Sequence, residues 1–243
     1  MRKDNIIIAA IIGICMILAA YAIGNSAVKA KRGDKSIQVT GIAERNFESD
    51  LVVWSAKFST LEYNMQEGFS KLKGMRSKVL SYLKTKGIPD STLTLSSVAL
   101  EKKTDSRYEG NNYVTSFGGF ELSQSITIES HDLNLVESVS RDITELINDG
   151  VEIASEEPRF YYTKLNDLKI KMLQEASEDA LNRAQVIAEG SKSHVGKLVN
   201  SQMGVFQIVG YNSNEDYSWG GAFNTSNRLK TASITVKSKY LIK

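Results

Sequence analysis

The sequence predicts alternating strands and helices, with three main helices, behind an N-terminal apolar span. Three observations carry this. Side chains repeat with period two near residues 37–58 and again at 234–242. Apolar residues recur at spacings of three and four at 69–83 and 135–147, and alanines recur every four residues from 176 to 188. Residues 6–23 form one uncharged apolar run. The first pattern fits strands, the second helices, and the third a membrane or export segment.

The apolar run, Ile6 to Ile23, follows Arg2 and Lys3. At about 1.5 Å per helical residue it just spans a hydrocarbon core of roughly 30 Å. Its length favours an uncleaved anchor. Ala20-Tyr21-Ala22 also offers a signal-peptide cleavage site, so the segment 1–24 reads as a transmembrane anchor or a signal. Cys15 follows Ile12-Gly13-Ile14, which does not suit lipid attachment. Lys29, Lys31 and Arg32 balance Arg2 and Lys3, so charge alone does not orient the span. Residues 25–35 read as a tether.

Ile37, Val39 and Gly41 open a first strand. Val52, Trp54, Ala56 and Phe58 share one face of a second. Phe69, Leu72, Met75, Val79, Leu80 and Leu83 make a helical stripe that Gly87 ends. A strand is expected from about Thr92 to Leu100, then a polar hairpin loop from Thr104 to Ser116, then a strand from Phe120 to Glu129. Ser130 or Asp132 can cap the next helix, whose stripe is Leu135, Val136, Val139, Ile143, Leu146 and Ile147, with Gly150 after it. Strand, helix, Gly-Ile or Gly-Val, strand therefore occurs twice, which reads as a possible duplication of two strand-helix-strand halves.

An interrupted strand covers Val151 to Leu165, and the longest helix runs from about Asn166 to Glu189. Its Ala176, Ala180, Ala184 and Ala188 allow a second backbone to approach closely. That backbone belongs either to the chain's own sheet or to a second subunit. Val195 to Val209 reads as strand, broken at Gly204. Tyr211 to Asn227 lacks Leu, Ile and Val, yet carries Tyr211, Tyr217, Trp219 and Phe223. Large aromatics in a polar loop are the best recognition candidate, since Tyr and Trp give contact area at low entropy cost. Tyr108 to Tyr113 is a weaker one.

Composition narrows the function. Thirty Lys and Arg against 28 Asp and Glu leave no basic excess for nucleic acid. One cysteine and two histidines forbid an intrachain disulfide and disfavour a Cys/His zinc site, so no metal and no cofactor is expected. His131-Asp132 is adjacent in sequence, but no Gly-x-Ser-x-Gly elbow accompanies it, and no catalytic residue is assigned. The Glu156-Glu157 pair faces opposite sides of a strand.

The ordered set from Ser36 to Ile242 resembles the SIMPL-domain family of bacterial envelope proteins. It rests on Ile37-Gln38-Val39-Thr40-Gly41 with Glu44, and on Leu122-Ser123-Gln124-Ser125-Ile126. The run Tyr161 to Leu165 then leads into Glu175-Ala176-x-x-Asp179-Ala180-x-x-Arg183-Ala184, and Gly196-Lys197-Leu198 follows. Ser49-Asp50 stands where many relatives have Pro-Asp. The resemblance implies an α+β fold of antiparallel or mixed sheets over residues 36–243, a periplasmic or envelope location, large ring-like or channel-like homo-oligomers and a link to envelope stress. It offers no catalytic residues. With the apolar run it is similar to a membrane-anchored branch, single-pass in the bacterial inner membrane with the C-terminal domain periplasmic; release into the periplasm after cleavage is the alternative. The expected function is a non-enzymatic, self-assembling scaffold or stress-related interaction module. The alternative is a periplasmic protein binding small hydrophobic ligands near Trp54, Phe58 or Tyr161.

Overall fold

The computed structural model describes residues 13–21, 35–110 and 112–243. Residues 13–21 are helical (α1), with Cys15 exposed. The rest of the apolar run and almost all of the tether lie outside the described residues. Among the described residues no helix is long and apolar enough to cross a membrane.

From residue 35 the order is β1 (Ser36–Glu48), β2 (Leu51–Glu62), α2 (Met65–Thr85), β3 (Leu93–Leu95), β4 (Ala99–Glu109), β5 (Asn112–Ser130), α3 (Leu133–Asp142), β6 (Glu152–Ser155), β7 (Arg159–Tyr161), α4 (Leu165–Gly190), β8 (Val195–Met203), β9 (Gln207–Gly210) and β10 (Leu229–Ile242). The fold is α+β. The chain divides into two compact units, one of residues 1–43, 171–204 and 234–243, the other of 44–170 and 205–233.

In the larger unit the main sheet runs β3-β5-β2-β6, and each of these neighbouring pairs is antiparallel. Two strand-helix-strand pieces, β2-α2-β3 and β5-α3-β6, interlock so that the last strand of each pairs with the first strand of the other. This is the ferredoxin-like order. The sequence echo is thus visible in the topology, and its glycines do matching work. Gly87 (φ +91°) and Gly150 (φ +73°) both take the left-handed conformation after a helical segment. Ile88 N–H then reaches back to Leu83 C=O at 3.0 Å, and Val151 N–H to Leu146 C=O at 3.1 Å. Both are Schellman closures, and Ile88 and Val151 are buried beside them. Asn64 caps α2 by accepting from Gln66 N–H at 2.8 Å. Asp132 caps α3 through Leu135 N–H at 3.0 Å.

The core of this unit joins Val52, Trp54, Phe58, Ile126 and Ile128 of the sheet to Leu72, Val79 and Leu83 of α2 and Val136 and Val139 of α3. Phe69 and Ile147, expected on the buried stripes, are exposed. The α2 stripe is narrower than the sequence suggests, because Gly68 takes the buried position where Leu122 comes close.

The expected polar loop from Thr104 to Ser116 is instead a ribbon. β4 and β5 stay paired from Ala99↔Ser123 to Glu109↔Asn112, turning at Gly110 (φ +64°). Its polar side chains reflect exposure on both faces, not absence of strand, and Ser106 and Thr115 hydroxyls pair across it at 3.3 Å. The single strand expected from Thr92 to Leu100 is split into β3 and the start of β4.

In the smaller unit β10 lies between β1 and β8. Val39 and Tyr240 pack on Ala180 and Ala184 of α4. Gly41 is the closest point: a Cβ there would fall inside the backbone of Ala176 and Ala180 and 2.8 Å from the Ala180 methyl. Ile42 N–H donates to Asp179 at 2.8 Å, and Arg183 to the same carboxylate at 2.7 Å. The Ile42 bond leads in holding the Asp179 carboxyl below its ordinary value, against the opposing effect of burial.

Gly41→Ala should therefore destabilise this unit by about 2–4 kcal/mol, since neither helix nor strand backbone can yield cheaply. Gly74→Ala, mid-helix with nothing within 4 Å of the new methyl, should stabilise by roughly 0.5–1 kcal/mol. Denaturant melts of the two variants check the pair.

Candidate functional site

Residues 211–228 connect β9 to β10, which pair antiparallel from Lys230↔Gly210 to Ser233↔Gln207. With no aliphatic branched residue, this segment cannot be shaped by a core of its own. It is shaped by hydrogen bonds to one buried amide. Gln207 Oε1 accepts from Ser218 N–H at 3.1 Å and Ala222 N–H at 2.7 Å, and its Nε2 donates to Ser218 C=O at 2.8 Å. Next to it, Ile208 N–H donates to Ala222 C=O and Asn224 N–H to Ile208 C=O, both at 2.8 Å. The returning chain therefore runs beside β9, with Phe223 bridged in parallel to Ile208.

Two further groups close the segment. Glu215 accepts from Gly210 N–H at 3.1 Å and from the Asn224 amide. Asn224 and Asn227 bond each other side chain to side chain at 2.8 Å. Gly221 has φ +97°, and a Cβ there would come within 2.8 Å of the Phe206 carbonyl oxygen. Only glycine serves at that turn.

Lys230 fastens the far end. It is 2% exposed, and its ammonium donates to Phe160 C=O at 2.9 Å and to Asn227 C=O. Phe160 N–H donates in turn to Thr225 C=O at 2.7 Å. Burial lowers the Lys230 pKa from 10.5 to about 8, opposed by the charge of Glu215.

This framework turns its aromatics outward. Trp219 is fully exposed at 101%, Tyr217 is 60% exposed, and Phe223 and Tyr211 are about half exposed. From residue 198 to 227 there is no lysine or arginine, while Glu215 and Asp216 lie in the loop. The four aromatics named from sequence are thus carried on one segment and project from it.

Other sequence candidates have different fates. Ala176, Ala180, Ala184 and Ala188 are 0–2% exposed. Gly41 and Val39 of β1 and Tyr240 of β10 pack against Ala176, Ala180 and Ala184, so the row is taken up within the chain's own unit. Trp54 and Phe58 are core residues, and Trp54 Nε1 donates to Ser155 Oγ and Glu156 C=O, both at 3.0 Å. The grooves described, of about 220, 370 and 550 Å³, are lined by other residues. His131 Nδ1 lies 2.5 Å from Asp50 C=O, while the Asp132 carboxylate serves as the α3 cap. Their adjacency is structural. The Tyr108 to Tyr113 segment is the tip of the β4–β5 ribbon; Tyr108 is exposed.

Sequence reading missed Gln207 and Lys230. A signal for Lys230 existed: it shares strand parity with Ala232, Ile234 and Val236, which are all buried. A lysine in phase with a buried face invites a search for carbonyl partners. Gln207 had no such signal, because its partners, Ser218 and Ala222, lie in an irregular loop.

The topology and the outward loop define an α+β protein whose most distinctive feature is a presented surface. The family model SIMPL, described as "Protein of unknown function (DUF541)", matches residues 37–239. The chain belongs to that family. No curated protein matches it. Among solved structures, "De novo designed protein Foldit4" is similar at 15% identity, over 44% of this chain and 93% of that one, with a TM-score of 0.23.

Gln207→Leu leaves three loop groups without their buried partner and should cost about 2–4 kcal/mol. It should also open residues 211–226 to proteolysis, read by limited digestion. For Lys230 the sign follows from linkage. The folded form binds its proton more weakly than the unfolded chain, so stability rises with pH from about 8 toward 10.5. The stability difference between wild type and Lys230→Met should therefore grow in favour of wild type across that window, by of order 2 kcal/mol. Urea melts at pH 7.5 and 9.5 test it.

Proposed function

We propose that this SIMPL protein is a non-enzymatic, self-assembling scaffold or interaction module of the bacterial cell envelope. In this reading residues 6–23 anchor it in the inner membrane, and the remainder lies in the periplasm. The observation that carries self-assembly is the edge strand β8. It pairs with β10 on one side and with no strand among the described residues on the other. Leu198, Val199 and Met203 are each about half exposed, so apolar side chains emerge on both faces. Edge strands are ordinarily blunted by proline, several charges or bulges, and β8 carries register shifts only in its first half, opposite Lys239–Ile242. β8 has no proline and a single charge, Lys197. An open edge of this kind favours strand addition by a second copy.

The non-enzymatic part is supported by the structural uses of the chemistry-bearing side chains. His131 bonds a backbone carbonyl, Asp132 caps a helix, and Asp50 is held by Thr163 through both its N–H and its hydroxyl, at 2.7 Å each.

The test is the mass of the full chain in detergent, by light scattering or native mass spectrometry. A discrete oligomer is expected, and Leu198→Lys with Val199→Lys should reduce it to smaller species with an unchanged circular dichroism spectrum. A wild-type monomer, or an oligomer indifferent to the double substitution, would overturn the reading.

A further inference from the structure

We infer that residues 211–223 form a docking surface for a cationic segment of a partner protein, received on the exposed rings of Trp219 and Tyr217, with the exposed carboxylate of Asp216 on the same segment. This goes beyond self-assembly and rests on residues of the larger unit alone.

The surface is preorganised. The loop backbone is already bonded to Gln207, Ile208, Phe160 and Lys230. A ligand need not order it, so less binding energy is lost to loop entropy.

The loop's own charge is negative: no lysine or arginine occurs in the sequence from 198 to 227, and Asp216, three residues before Trp219, is exposed. An aromatic face carries negative potential, which the carboxylate on the same segment reinforces. That combination repels phosphate and anionic lipid headgroups and attracts ammonium and guanidinium groups.

The same unit uses this contact elsewhere. Lys86, Lys102 and Lys169 each place an ammonium 5.2–5.6 Å from a ring centroid, over Tyr82, Phe117 and Phe206. Phe206 directly precedes Gln207, at the base of the loop. Among the described residues no such cation lies over Trp219, the most exposed ring of the unit. The surface has the acceptor of this contact without its donor. None of the three grooves described above is lined by these rings, which suits an extended chain better than a small molecule.

The experiment uses the full chain in detergent micelles. The probes are a fluorescent Arg-rich peptide, the same peptide with citrulline for arginine, and a Glu-rich peptide. The Arg peptide should bind, weakening as salt rises, while the citrulline and Glu peptides should not. Trp219→Ala should lower the affinity about fivefold or more, the size of an exposed cation–π contact of about 1 kcal/mol. Asp216→Asn should lower it about twofold and flatten the salt dependence. Neither residue is used in the loop framework, so both variants should melt like wild type. Equal binding of the citrulline peptide, or binding unchanged in Trp219→Ala, would overturn the inference. So would absence of Arg-peptide binding, or Trp219-dependent binding to neutral oligosaccharide or zwitterionic vesicles in its place. A monomeric protein that still binds the Arg peptide leaves this inference standing while removing self-assembly.

Discussion

The amide of Gln207 is the constraint on which the presented surface depends. Seventeen residues, 211–227, contain no Leu, Ile or Val. Such a segment has no aliphatic core of its own, and its conformation rests on hydrogen bonds. One glutamine answers three backbone groups at once, at 2.7–3.1 Å. A buried network of this kind is worth much when complete and costs much when one member is missing. Lys230 adds a charged donor to the carbonyls of Phe160 and Asn227. Burial disfavours that charge, so the folded state gains stability as pH rises above about 8.

The smaller unit solves the opposite problem by opposite means. There a helix must lie close to a strand, so side chains are removed instead of paired. Gly41 faces Ala176 and Ala180, and the next alanines continue the contact toward Val39 and Tyr240. Close approach maximises dispersion contacts per residue. Asp179 then fixes the register by accepting Ile42 N–H, a charge-assisted bond that tolerates little slip. Small residues and one carboxylate therefore set the geometry of that unit, whereas amides and a lysine set the geometry of the loop.

Regular elements were legible because their signals are local. The stripes at 69–83 and 135–147, apart from Phe69 and Ile147, the cap Asp132 and the glycines 87 and 150 all follow from period and backbone preference. Those glycines close equivalent helix ends in the two strand-helix-strand pieces. What failed needed partners far away in sequence. The β4–β5 ribbon looks like a loop because both its faces are wet, so hydrophobic alternation is missing although strand pairing is not. Phe69 lies in phase with a buried stripe and yet stays exposed. The aromatic candidates were visible from composition, but the residues that aim them were not. Gln207 and Lys230 act through irregular backbone whose position no periodicity reveals.

The central claim is that the loop is built, with its aromatics projecting from a fixed framework. Hydrogen–deuterium exchange at single-amide resolution tests it directly. The amides of Ser218 and Ala222, bonded to Gln207, and of Asn224, bonded to Ile208, should exchange at rates close to those of the β9–β10 ladder. The neighbouring amides of Tyr217 and Trp219 should exchange far faster. Uniformly fast exchange from 211 to 227 would mean that the framework does not persist in solution, and would contradict the account.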